Sequence, residues 1–242
     1  MTVVAIVVVL LVLAATNVWI LAGPPHLHLA AGLLVALLLL LVGRLGGLTW
    51  AELGLGGQTL QRGEQVGAAA AAVVAVVYAG ATAIPFTRGA FRDTRYRLGL
   101  RAALYTALVA IPLGTVLFEE VAFRGVLWGL LAGDFGAGAA TAVTAALFGL
   151  WHVLPAVDLA RTHTAVSGPT AAGRGRVVVT VAATIAFTTV AGIVFAELRV
   201  RTGSLVAPIG LHWATNGLGV LAAARVWALS PGEVATPEAG AR

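Results

Sequence analysis

Ionisable side chains are missing from run after run of about twenty apolar residues, and this constrains the chain more than anything else in it. From Val3 to Leu21 only Thr16 and Asn17 interrupt the hydrocarbon. A hydrocarbon core about 30 Å thick needs about twenty such residues in a helix. In lipid, only helices and closed barrels satisfy every backbone N–H and C=O. The whole chain follows this pattern: 60% of its 242 residues are hydrophobic, 10% are charged, and the mean hydropathy is +0.97. Soluble domains carry about 25% charged residues, so a soluble globular enzyme and a disordered chain are both excluded.

The expected fold is all-α, a polytopic transmembrane bundle of about seven spans. Spans are expected at Val3–Leu21, His28–Val42, Gln65–Ile84, Ala102–Leu131, Ala137–Leu154, Val177–Phe195 and Leu205–Trp227. Gly23-Pro24-Pro25, Pro85, Gly133-Asp134 and Pro155 read as their punctuation. The stretch from Gly46 to Glu64 is too polar to span and is expected at the interface. The domain reading is 1–101 for the N-terminal spans with this interfacial segment and an Arg-rich loop, 102–229 for a catalytic core, and 230–242 for a disordered tail.

All fifteen basic residues are arginine, giving a net charge of +5. With the Ala, Gly, Val and Leu bias this suggests a high-GC bacterial genome and a bacterial plasma membrane. Nothing interleaves the arginines with aromatics as a nucleic-acid surface would. Ten arginines fall on the side holding 87–101 and the C-terminus, and four on the other. The positive-inside rule puts the 87–101 side in the cytoplasm. There is no cysteine, hence no disulfide, thiol nucleophile or thiolate metal site. The apolar N-terminus lacks a basic n-region and reads as a first span.

Against this background five ionisable residues stand inside spans: Glu119, Glu120, Arg124, His152 and His212. Each charge near the bilayer centre costs about 2.5–3.5 kcal/mol and by default marks function. Glu120 and Arg124 are four apart, about 40° around an α-helix, which suits a buried ion pair. Glu119 points about 100° away from Glu120. It escapes that neutralisation and can face a cavity, where a carboxylate suits a general base. His152 follows Phe148 by one turn. His212 and Asn216 share a face one turn apart, two convergent polar groups in an apolar segment. Trp50, Trp128, Trp151, Trp213 and Trp227 read as belt or packing residues, and Glu197 and Arg199 as interfacial anchors.

These residues fall into patterns. Glu119-Glu120-Val121-Ala122-Phe123-Arg124 is EExxxR, Phe148 to His152 is FxxxH, and His212 to Asn216 is HxxxN. In this order, each within a hydrophobic segment, they resemble the CPBP family of intramembrane proteases (the CAAX amino-terminal protease or ABI family), over roughly Ala102 to Leu221. The resemblance implies peptide-bond hydrolysis on membrane-associated or lipidated substrates in a lipid bilayer. It implies that Glu119 and His152 activate the attacking water, and that His212 and Asn216 stabilise the oxyanion. Glu120 and Arg124 orient the site or hold a substrate's terminal carboxylate, which Arg124 cannot do while committed to Glu120. The resemblance leaves two mechanisms open, metal-dependent and glutamate-dependent. If a divalent metal such as zinc is used, Glu119, His152 and His212 are its candidate ligands.

Other chemistries fit less well. Ser167, Ser204 and Ser230 lie at loops or span ends, against a serine protease. Asp93, Asp134 and Asp158 lie in loops, against an aspartyl protease. A transporter would show an inverted repeat, and none is visible. The non-enzymatic alternative is a membrane scaffold or a bacteriocin-immunity protein. One geometric condition remains. Glu119 lies about 25 Å along its span from Ala102, and it meets His152 only if the first turns of that span stand outside the hydrocarbon.

Overall fold

A computed structural model describes residues 2–162 and 174–229. The apolar runs form the helices the sequence predicts, with shifts at their ends. Helix α1 is Thr2–Ala22, α2 is His28–Leu45 and α3 is Gly57–Ala83. Helix α3 stops where Ile84 turns extended ahead of Pro85, the conformation that a following proline favours. It begins eight residues before the expected Gln65, so only 46–56 is left between α2 and α3. That segment is pinned from the far side of the bundle. Arg199 donates to the carbonyls of Ala51 and Glu52, at 3.2 and 2.7 Å, and Leu205 N–H to that of Gly54 at 2.8 Å. Leu48 and Leu53 turn inward while Trp50 stays exposed. Gly54 has φ +79° and Arg199 lies against it, so no other residue fits there.

The next unit is a long helical hairpin. Residues 100–135 form α4 and residues 137–151 form α5. The reversal falls at Gly136, with φ 81° and ψ 163°, and not at the expected Gly133-Asp134. Glycine alone reaches such a φ without strain, and 133–135 simply continue the helix. The register follows from three contacts nearly equally far on either side of Gly136. Trp128 Nε1 donates to Thr141 Oγ1 at 3.1 Å, the Phe123 and Phe148 rings meet at 5.2 Å, and Trp151 Nε1 donates to Glu119 at 3.0 Å. At about 1.5 Å per residue α4 is about 54 Å long, well beyond the hydrocarbon thickness. A helix of that length need not lie wholly within the layer, and Glu119 reaches the level of α5's end.

Helix α5 ends at His152 (φ −86°, ψ 2°), and α6 follows at Val153–Thr162. The break comes three residues before Pro155. Proline is tolerated in a first helical turn, but it would disrupt one uninterrupted helix. Helix α7 is Arg174–Thr202, and α8 covers residues 206–228 beyond a tight link with Gly203 at φ +71°. His163, Ser167, Ser230 and the 230–242 tail lie outside the described residues.

Five stretches are long and apolar enough to cross a membrane. The longest, Leu100–Asp158, is folded double at Gly136, and with its two arms and α8 the described helices agree with about seven spans. No strand occurs among the described residues. Val76, Val77, Leu34 and Phe187 are exposed, as suits side chains facing lipid tails. Phe118, Phe123, Phe148 and Leu39 fill the interior. Small residues bring the backbones close. Gly67 of α3 meets Gly210 of α8, and Gly32 of α2 meets Gly114 of α4.

Candidate active site

The polar residues sit where α4 departs from α-helical geometry. It widens into π-helical turns over Thr106–Ala110, Pro112–Val116 and Val121–Leu127, and α8 does so over Ala214–Leu218. Such turns are rare and concentrate at functional sites. Here they flank Glu119 and Glu120 and hold Arg124 and Asn216.

Glu120 and Arg124 are wholly buried. Arg124 Nη1 donates to Glu120 Oε1 at 3.0 Å, and Nη2 to the Gly192 carbonyl at 3.3 Å. Its guanidinium lies 4.1 Å from the centre of the Phe148 ring and 5.0 Å from that of Phe195, cation–π contacts in a desolvated place. The same Glu120 Oε1 is 2.8 Å from His212 Nδ1. A carboxylate beside an arginine only accepts, so Nδ1 carries a proton. His212 stacks on Phe195 at 4.9 Å, which fixes its ring plane.

Glu119 is held differently. Its Oε1 accepts from Trp151 Nε1 at 3.0 Å, while its buried Oε2 has no hydrogen-bond partner. The nearest cationic candidate for Oε2 is His212 Nε2 at 3.7 Å, too far for a direct hydrogen bond. His152 donates from Nδ1 to the Phe148 carbonyl at 2.8 Å, which leaves Nε2 as the accepting nitrogen.

The six sequence-predicted residues thus form two tiers. Glu119, His152 and Asn216 line a cavity of about 560 Å³. Glu120, Arg124 and His212 stand behind Glu119 and are not on that wall. Arg124 is committed to Glu120, as the spacing predicted, and is out of a substrate's reach.

Two further residues were not singled out in the sequence. Trp151, read there as a packing residue, is the donor to Glu119. Asn17 of α1 donates from Nδ2 to the Trp151 carbonyl at 2.9 Å. In a helix that carbonyl would bond the N–H four residues on, but residue 155 is proline and has none. The available signals were Asn17, isolated in an apolar span, and a proline four residues after a motif position. Arg199, read as an interfacial anchor, is 5% exposed and ties 51–52 to α7.

Among the described residues no group of three His, Asp or Glu side chains is placed to share an ion. A zinc site needs three such protein donors, and Glu119, His152 and His212 are not found gathered as one.

The class defined so far is a multi-pass helical membrane protein in which Glu119, His152 and Asn216 line one cavity and a buried Glu120, Arg124 and His212 network lies beside it. Residues 98–218 match the family model of the Rce1-like type II CAAX prenyl endopeptidases, and the chain belongs to that family of intramembrane proteases. The match contains all six predicted site residues and leaves out α1 to α3. No curated protein and no solved structure matches the chain.

Proposed function

We propose that the protein is an intramembrane endopeptidase that hydrolyses peptide bonds of membrane-associated or lipidated substrates through a water activated by Glu119 and His152. The observation that carries this reading is Glu119, a buried carboxylate whose Oε2 has no hydrogen-bond partner, on the wall of a cavity that His152 and Asn216 also line. Water between Glu119 Oε2 and His152 Nε2 gives up its proton as it attacks the scissile carbonyl, and Glu119 passes that proton to the leaving amine. The Asn216 amide N–H donates to the developing oxyanion. His212, fixed by Glu120, stands with Nε2 3.7 Å from Glu119 Oε2. By the positive-inside rule the end of the cavity lined by Phe91, Asp93, Arg95 and Tyr96 faces the cytoplasmic side.

The test is cleavage of a fluorogenic peptide library, prenylated C-terminal peptides included, by the protein in liposomes. Glu119→Gln is expected to lower cleavage at least a thousandfold while keeping wild-type helicity. A chelator is expected to leave the wild-type rate unchanged. Cleavage that survives Glu119→Gln would refute the mechanism. Loss of activity to the chelator with recovery on adding zinc would transfer the water to a metal. Binding without any cleavage would favour a scaffold or immunity role.

A further inference from the structure

We propose that Arg95 anchors the free C-terminal carboxylate of the substrate. This rests on the endopeptidase reading and assigns it a specificity residue outside the motifs. A substrate end entering an apolar cavity brings a carboxylate, and an unpaired one is costly there. The arginine of the EExxxR motif cannot receive it. Arg124 is fully buried, with its donors on Glu120 and Gly192 and its faces covered by rings.

Arg95 lines the same cavity as Glu119, His152 and Asn216. The other arginines of 87–101 are not on its lining. Arg88 caps the end of α3 through the Thr82 and Ala83 carbonyls, and Arg97 lies over Trp227. Arg95 is also held ready. Asp93 caps the turn Thr94–Tyr96 by accepting from Arg95 N–H, and its carboxylate accepts from Arg95 Nε and from Nη2 at 2.7 Å. This bonding keeps the guanidinium charge above its ordinary pKa, with Asp158 of α6 adding its field. Of the five guanidinium N–H groups, both on Nη1 and one on Nη2 have no hydrogen-bond partner among the described residues, and the side chain is half exposed. A planar guanidinium with an open edge is suited to a carboxylate.

Charge agrees with this. Residues 87–101 carry five arginines and one acidic residue, so this end of the cavity draws anions despite Asp93 and the field of Asp158.

The test uses two peptides identical except for a C-terminal carboxylate or carboxamide. Binding is read by fluorescence on Glu119→Gln in liposomes, where no turnover is needed, and cleavage on the protein with Glu119 intact. The carboxylate peptide is expected to bind about tenfold to a hundredfold tighter, the worth of hydrogen bonds to a charged group. Arg95→Gln should abolish that preference by weakening only the carboxylate peptide, and Arg95→Lys should restore part of it. In cleavage the same loss should appear in KM. Equal binding of the two peptides, or an Arg95→Gln that weakens both alike, would overturn the assignment. Preferential binding without hydrolysis would instead overturn the endopeptidase reading and leave Arg95 as a carboxylate-binding residue.

Discussion

Helices α1 and α4 cross the same apolar layer under different rules. Helix α1 has no ionisable side chain and runs as unbroken α-helix for 21 residues. Helix α4 carries Glu119, Glu120 and Arg124 and leaves α geometry in three places. A segment that only crosses can satisfy its whole backbone ladder within itself. A segment that must aim charges gives up regularity for direction, and it needs neighbours to close the polar network. Arg124 shows how far that closure goes, with a carboxylate, a carbonyl and aromatic faces around it, although its Nε and Glu120 Oε2 have no hydrogen-bond partner. Glu119 differs in that its unpartnered oxygen belongs to a residue that lines the cavity.

The contrast can be broken most forcefully at the ion pair. Arg124→Met leaves the Glu120 charge buried without its cation and is expected to destabilise the protein by about 3–5 kcal/mol. Adding Glu120→Gln should recover much of that, because an unpaired charge costs more than a missing pair. Reversible unfolding in detergent measures both. A single-variant loss below about 1 kcal/mol would mean that water reaches the pair.

A smaller effect belongs to Trp151. Trp151→Phe keeps the ring and removes the N–H to Glu119. It is expected to lower kcat about tenfold to a hundredfold, the worth of one hydrogen bond to a charged group, with KM little changed. A change confined to KM would make Trp151 a substrate contact instead. Asn17→Val tests the one polar contribution of α1. It leaves the Trp151 carbonyl unpaired and should cost about 1–3 kcal/mol in an unfolding measurement. Val18→Ala, beside it and facing lipid, should stay within about 0.5 kcal/mol. The smallest change is expected at the exposed Glu197–Arg201 pair, where Glu197→Ala should shift stability by about 0.2–1 kcal/mol. Equal costs for Asn17→Val and Glu197→Ala would erase the distinction between a structural intramembrane contact and a surface one.

Much of this was legible in the sequence. Hydropathy placed the apolar helices, and the order of EExxxR, FxxxH and HxxxN marked the three residues on the cavity wall and the three in the buried network beside it. The Glu120–Arg124 pair was visible because four residues is one turn on any near-helical backbone. The rest depended on partners distant in sequence. Nothing in the spacing distinguishes the Trp151 indole, which reaches Glu119 across the hairpin, from the belt tryptophans. Gly133-Asp134 and Gly136 are equally plausible turns until packing of α5 on α4 selects the residue that can take a positive φ. An ideal helical wheel cannot foresee that His212 stands behind Glu119 while Asn216, one turn away, faces the cavity, because π-helical turns alter the phase. The start of α3 was missed because Gln58, Arg62 and Glu64 look polar, although they only decorate its first turns.

Pro155 gives the α4–α5 hairpin a dependence on sequence far away. By withholding one N–H it leaves the Trp151 carbonyl to be answered by a residue 134 positions earlier, outside the span that the family model matches. A chimera that transplanted 98–218 onto foreign leading helices would inherit every motif and lose this partner. The recognisable half of the chain is therefore not a self-sufficient cassette. Any graft of it would have to supply an amide, or another donor, at the place where Asn17 stands.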